Sequence, residues 1–341
     1  MKVLFIGGTG VISLASTLRA AELGIDLYLL NRGYSSVALP KGVHVLQGDI
    51  HDSASTAKAL AGHSFDAVVN WIAFGAGDME RDIALFRNRT KQYIFISSAS
   101  AYQKPVTHLP IREDTPLINP FWEYSRNKIA CEETLLKAVR DEAFPGVIVR
   151  PSLTYGDTLI PLVLNSWHKS YTVVDRMKRG EKVIVPGDGT SLWTITHNTD
   201  FAKGLVGLLG HEQVLGHAFH ITSDEVMTWN QFYDITAKAA GTEARIVHIP
   251  SDFIIACCPD EAGSLLGDKA VSTVFDNQKI KKFIPGFKAT TSFAEGIKTT
   301  LRWFEEDGTR RAIDFDLEAR WDKIISAYEL GITHGKKAFL S

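Results

Sequence analysis

The sequence predicts a mixed α/β fold, a doubly wound parallel sheet with a smaller C-terminal α/β lobe. Three observations carry this expectation. The chain opens on an apolar run, Val3-Leu4-Phe5-Ile6, that ends in the glycine turn Gly7-Gly8-Thr9-Gly10. Short β-rich runs then alternate with helical stretches as far as Arg150. Beyond about Gly156 the alternation loosens, yet no repeat, low-complexity segment or flexible linker separates the two parts.

In chain order, strands are expected at residues 2–6, 26–30, 44–47, 67–71, 93–97 and 147–150. Helical patterns fall between them at residues 12–23, 53–61, 78–87 and 122–141. Such alternation implies parallel strands joined by helical crossovers, with ligands bound at the carboxyl ends of the strands. The turns after Ile6, Leu30, Trp71, Ser97 and Arg150 should therefore face one cleft. Later, residues 161–178 read as helix-like, leading to the turn Pro186-Gly187-Asp188-Gly189. Helices at 200–209, 229–240 and 292–306 and strands at 218–221 and 245–249 complete the pattern. The division expected is 1–156 for the sheet domain, with 194–221 rejoining it, and 157–193 plus 222–341 for the second lobe.

Strand, glycine turn and helix in that order form a pyrophosphate cradle. Gly7 permits the tight turn, and Gly10 has no side chain to hold a phosphate away from the backbone. The helix that follows Thr9, roughly from Val11 and Ile12 to Leu23, aims its positive dipole end at the anion. Ser13 stands where a third glycine is common. A dinucleotide cofactor is the expected ligand.

The 341 residues are 45% hydrophobic and 22% charged, with a formal net charge of −2. That balance argues against a chain built to grip nucleic acid, which carries a basic excess. Cys131, Cys257 and Cys258 have no metal-ligand spacing and give no disulfide framework, so a reduced compartment is expected and no metal. No signal peptide or membrane span is read, and a cytoplasmic location follows as the default.

Tyr124-Ser125-Arg126-Asn127-Lys128 places a phenol and an ammonium one helical turn apart on one face. A phenol titrates near 10 in isolation, and a neighbouring cation lowers that value toward use as a base. The run Phe95-Ile96-Ser97-Ser98-Ala99-Ser100-Ala101-Tyr102 is a buried strand ending in hydroxyls, which would lie in the same cleft.

With these pieces the chain resembles the short-chain dehydrogenase/reductase superfamily, in its extended NAD-dependent epimerase/dehydratase branch, a Rossmann-type fold. The matching segments are Gly7 to Gly10, Gly48-Asp49-Ile50, Val69 to Ala73, Ser97 to Tyr102, Tyr124 to Lys128, Arg150-Pro151, Pro186 to Asp200, and Asp276 to Phe304. The resemblance implies catalysis by Tyr124, Lys128 and Ser98, with Ser100 as the fallback serine. It also implies that Asp49 and Ile50 border the adenine. Ala73 is assigned to the ribose and nicotinamide side, and Pro151 and Ser152 to the nicotinamide.

Three departures narrow the reading. Asn31-Arg32 replaces the acid that commonly follows the second strand, which favours NADP over NAD, though NAD stays possible. Ala99 and Ser100 replace the Asp-Glu of dehydratases, so elimination of water is disfavoured. Trp193 stands where an arginine often holds a diphosphate, which argues against a nucleotide-sugar. Trp122, Tyr155, Trp167, Trp193 and His197 could line a pocket for a polyhydroxylated ring, though aromatics at such positions are more often core and His197 reads as a buried, hydrogen-bonded histidine; Ser100, Trp122, Tyr155 and Trp193 are the candidate substrate contacts. Cys257 and Cys258 are expected as buried fillers, and residues 279–283 as a solvated face with a core stripe.

The function expected is an NAD(P)-dependent dehydrogenase, reductase or epimerase acting on a secondary alcohol or ketone of a sugar-like molecule. The competing expectation is a non-catalytic RNA-binding relative similar to chloroplast stem-loop-binding proteins. A homodimer is expected through helices 78–87 and 122–140, using Ile129, Ala130, Leu135 and Leu136.

Overall fold

A computed structural model describes residues 1–341. The first part alternates β1 (Lys2–Ile6), α1 (Ser13–Glu22), β2 (Asp26–Asn31), β3 (His44–Gln47), α2 (Ser53–Ala59), β4 (Ala67–Asn70), α3 (Ala76–Phe86), β5 (Tyr93–Ile96), α4 (Glu123–Glu142) and β6 (Gly146–Pro151). Six of these strands and the later strand Ala218–Ile221 form one seven-stranded sheet, ordered Ala218–Ile221, β6, β5, β4, β1, β2, β3. Every pairing in it is parallel. Strand order reverses beside β1, which opens a crevice at the carboxyl ends of β1 and β4.

The inner strands are continuous apolar runs because both faces of the sheet are covered. One face buries Val3, Phe5, Leu29, Val69 and Ile94 under α1 and the helix Asn198–Leu208. The opposite face buries Leu4, Ile6, Val68 and Phe95 under Met79, Ile83 and Phe86 of α3 and Cys131 and Leu135 of α4. Asp52 caps α2 by accepting from the N–H groups of Ala54 and Ser55, and Ala143 ends α4 in the left-handed region at φ 53°.

The second lobe has its own core around Val183, Ile184, Trp193, Trp229, Phe232, Phe293, Ile297 and Trp321. Strands Lys182–Pro186 and Arg245–Ile249 pair in parallel within it. Helices Trp229–Ala239 and Phe293–Glu306 both start with capping boxes, Thr228 with Gln231 and Ser292 with Glu295. The C-terminal helix Phe315–Leu340 buries Trp321, Ile324 and Ile325, and is exposed from Glu329 onward. No helix is long and apolar enough to cross a membrane.

Several expectations need correction. Residues 161–171 are loop, and only Thr172–Lys178 is helical. Asn165 holds that loop by donating to the carbonyls of Ile160 and Ser170, and Leu164 turns it at φ 60°. Cys257 is exposed and Cys258 half-buried, because the helix Ser251–Cys257 turns only Ile254 fully inward. Leu135 cannot serve a dimer interface: it is fully buried against its own sheet, while Ile129, Ala130 and Leu136 are half-buried.

Candidate active site

The carboxyl ends of the strands enclose a cleft of about 590 Å³. Its floor is the turn Gly7 to Gly10, where Gly7 and Gly8 lie at φ 98° and 109°. A side chain on Gly8 would put Cβ 2.8 Å from the Leu29 side chain, so only glycine fits there. At Gly10 the nearest atom to a Cβ would be Ser13 Oγ at 3.5 Å, leaving the backbone open to approach from the cleft. Ser13 uses its hydroxyl locally, accepting from the Gly10 N–H at 2.9 Å.

Asn31, Arg32, Asp49 and Ile50 line the far end of the cleft, and Tyr124, Lys128 and Pro151 the near end. Beyond Arg32 the cleft continues into a cavity of about 550 Å³ shared by Tyr34, Ser55 and Lys58. Arg32 is exposed, with its guanidinium 5.6 Å from the Tyr34 ring centre. A glycine floor and a rim carrying Arg32 and Lys58 suit the pyrophosphate and further phosphate of a nicotinamide dinucleotide.

Tyr124 and Lys128 sit on the first turns of α4, directed at the ends of β4 and β5. Lys128 Nζ donates to Ala73 O at 2.8 Å and to Ile96 O at 2.9 Å. An ammonium has three N–H bonds, so one remains for a ligand hydroxyl in the cleft. The Tyr124 ring rests against Trp122 and Phe74, with centroids 4.9 and 6.5 Å away. Lys128 Nζ lies 5.8 Å from the centre of the same ring.

A chain of three serine hydroxyls leads to the phenol through Ser98. Ser125 Oγ donates to Ser100 Oγ at 2.8 Å, and Ser100 Oγ lies 2.9 Å from Ser98 Oγ. Because Ser100 accepts from Ser125, its own proton is available to Ser98. That leaves the Ser98 proton to point at the Tyr124 oxygen or at a ligand oxygen beside it. Burial raises the Tyr124 pKa, and the hydrogen bond from Ser98 acts against that rise. With the cleft free of added charge, Tyr124 holds its proton.

Burial also pulls the Lys128 pKa down from 10.5 to about 8, against weaker pulls upward from Cys131, Glu132 and Asp78. Between those two values the unfolded chain holds a proton that the folded protein has released. Stability therefore rises with pH across that window, by about 2–3 kcal/mol between about pH 7 and about pH 10. Urea unfolding of wild type and Lys128→Met, both without cofactor, should show this rise in the wild type relative to the variant. Parallel pH profiles for the two proteins would contradict it.

Other residues singled out from sequence lie elsewhere. Val11 faces away from the cleft, and its carbonyl accepts from Asn198 Nδ2 at 2.7 Å. Ala73 is fully buried and reaches the site only through its carbonyl, which accepts from Lys128. Ser152 pairs with Thr196 Oγ1 at 3.1 Å. Tyr155 is buried in the second-lobe core against His197 and Phe293, which removes it from any substrate surface. His197 is buried, its Nδ1 2.7 Å from Thr199 Oγ1. Trp193 is also buried, its ring tilted 34° against Trp229 with centroids 5.1 Å apart. Trp122 wedges between Tyr124 and the backbone of Gly263 and Gly267. Trp71, Phe74, Tyr34 and Lys58 line the cleft or its extension without having been singled out as site residues. Their only sequence signal is position just past a strand end or on the helix behind it.

A larger groove of about 880 Å³ runs between α1 and the helix Asn198–Leu208. It holds neither Tyr124 nor Lys128, both of which line the smaller cleft, so the chemistry is assigned there; Ser98 lines neither cavity and meets the site through Tyr124.

A glycine-floored crevice at the reversal of a parallel sheet, with Tyr and Lys on its wall, defines a dinucleotide-binding protein of oxidoreductase architecture. The chain belongs to the NAD dependent epimerase/dehydratase family, whose model matches residues 3–222. It is 23% identical over 291 residues to 2'-dehydrokanamycin reductase of Streptomyces kanamyceticus, covering 84% of this chain and 80% of that protein. It is 29% identical over 269 residues to the chloroplast stem-loop binding protein of 41 kDa b of Arabidopsis thaliana, covering 74% and 67%. Among solved structures, UDP-glucose 4-epimerase from Bifidobacterium longum in complex with NAD+ and UDP superposes with a TM-score of 0.72. That match has 22% identity and covers 91% of this chain and all of the other, a likeness of fold.

Proposed function

We propose that the protein is an NADP(H)-dependent oxidoreductase or epimerase acting on a secondary alcohol or ketone of a small, sugar-like molecule. The observation that supports this best is the Lys128 ammonium, bonded to two carbonyls with one N–H left for the cleft. A bound nicotinamide would supply the two-electron chemistry. Lys128 would hold a ribose hydroxyl and keep positive charge beside the phenol. Ser98, oriented through Ser100 and Ser125, would hold the reacting oxygen of the substrate. Tyr124 would give its proton to that oxygen in reduction, and take it back in oxidation. Tightly retained cofactor without net turnover would mark an epimerase, and exchange with free cofactor a dehydrogenase or reductase.

Cofactor choice is the direct test. No acid stands at the end of β2 to hold a free 2'-hydroxyl, and Arg32 and Lys58 line the cavity beyond it. A charge-assisted hydrogen bond contributes about 1.5–3 kcal/mol, so NADPH should bind about ten- to a hundredfold tighter than NADH. In Arg32→Ala most of that preference should vanish. Equal affinities in wild type, or a preference unchanged by the substitution, would remove Arg32 as the selector. The chloroplast relative supports a competing reading, binding of structured RNA. Salt-dependent RNA binding by a protein that takes up neither cofactor would replace the enzymatic reading.

A further inference from the structure

The Lys128 ammonium is buried and has no counterion of its own. The residue is 2% exposed, and the two acids that pull on it, Glu132 and Asp78, are engaged by Arg150 and Arg81. Cys131 and Tyr124, the other titratable groups around it, are held neutral by burial. Besides its two carbonyl acceptors, the ammonium meets aromatic rings. The Phe74 ring centre lies 4.6 Å from Nζ, that of Phe95 4.9 Å and that of Tyr124 5.8 Å. A cation over a ring face is attracted by the ring quadrupole, and more strongly where water is kept away.

Two strand ends build this seat in the same way. β5 supplies the Ile96 carbonyl and, one residue earlier, the Phe95 ring. The turn after β4 supplies the Ala73 carbonyl and, one residue later, the Phe74 ring. That turn is held at both ends: the Ile72 N–H donates to Asn70 Oδ1 at 2.7 Å, and the Phe74 N–H to Asp78 Oδ2 at 2.9 Å. Phe95 is sealed in the sheet core, whereas Phe74 is 50% exposed and lines the cleft. Core packing does not account for a half-exposed ring fixed over a buried cation.

A carboxylate in the place of Phe74 would hold the ammonium as well. It would also cancel the charge that favours phenolate at Tyr124, and would repel the phosphates of a dinucleotide. A ring attracts the cation and leaves its charge in the cleft.

We propose that Phe74 is a positioning residue of the reaction site, holding the Lys128 ammonium in place and charged through a cation–π contact in a seat without a counterion. Its bearing on catalysis rests on Lys128 holding the cofactor ribose, as in the proposed function; the contact itself does not.

The test follows Lys128 directly, by NMR titration of the protein with isotope-labelled lysine and no cofactor, its signal assigned by its absence in Lys128→Met. In wild type the midpoint should lie at about 8. In Phe74→Leu, which keeps an apolar side chain and removes the ring, it should fall by about one pH unit. Phe74→Tyr keeps the ring face and should stay within about 0.3 unit of wild type. A midpoint unchanged in Phe74→Leu overturns the proposal. So does a raised one, which would mean that the side chain only keeps water off the ammonium. NADPH titration gives a second reading. At about pH 8 Phe74→Leu should bind about fivefold more weakly than wild type, and at about pH 6 equally, because Lys128 is then protonated in both. An equal deficit at both values would mean that the ring touches the cofactor instead, and overturns the role through Lys128. If wild type takes up no NADPH, the cofactor reading fails, and the lysine titration still decides the contact.

Discussion

Tyr124→Phe is expected to lower turnover by about 10²–10⁴, the span general acid–base catalysis contributes, while leaving NADPH affinity within about twofold. The substitution removes one oxygen and keeps the ring, so the packing on Trp122 and Phe74 persists. Lys128 keeps its carbonyl partners, since neither belongs to Tyr124. The loss should appear in kcat more than in KM, because proton transfer belongs to the transition state. Ser98→Ala should act in the same direction, by removing the hydroxyl that faces the phenol. A Phe variant retaining more than about a tenth of wild-type turnover would mean that another group supplies the proton.

Much of this architecture was legible in the sequence, for physical reasons that also mark where legibility ends. Strands buried on both faces are written as unbroken apolar runs, so Val3 to Ile6 and Ala67 to Val69 declare themselves. Tyr124 and Lys128 share a helix, and their geometry is fixed by local spacing alone. The 161–171 loop misleads because its apolar residues carry a helix-like pattern, while its shape comes from Asn165 side-chain bonds to the carbonyls of Ile160 and Ser170, which no hydrophobic pattern encodes. Tyr155 sits among strand-end residues in sequence, yet packing of Gly296 against its hydroxyl turns it into the second-lobe core. Lys104 reads as one lysine among many, yet the fold buries it with the Asp268 carboxylate 4.0 Å from its ammonium. Long-range polar pairing leaves no periodic trace.

The same limit hides the residue whose loss should harm the fold most. Glu132 follows Lys128 by one turn of α4, a spacing that in sequence suggests a solvated ion pair. In the structure it is fully buried, accepting from Ser97 Oγ at 2.5 Å and from Arg150 Nε and Nη2 at 2.9 and 2.6 Å. Arg150 is itself buried, its guanidinium 4.8 Å from the Tyr102 ring centre. The two strand ends flanking the cleft, β5 through Ser97 and β6 through Arg150, are thereby pinned to the helix that carries Tyr124 and Lys128. Glu132→Ala should destabilise the protein by about 3–5 kcal/mol, because Arg150 is left charged without a counterion in a site water does not reach. Replacing both residues, as Glu132→Leu with Arg150→Met, should recover much of that loss by removing the stranded charge. Activity should not return in parallel, since the strand ends would no longer be tied to α4. Urea unfolding of the single and double variants separates these effects. A single variant losing less than about 1 kcal/mol would show that solvent reaches Arg150, and the double variant restoring full turnover would show that the pair does not position the site.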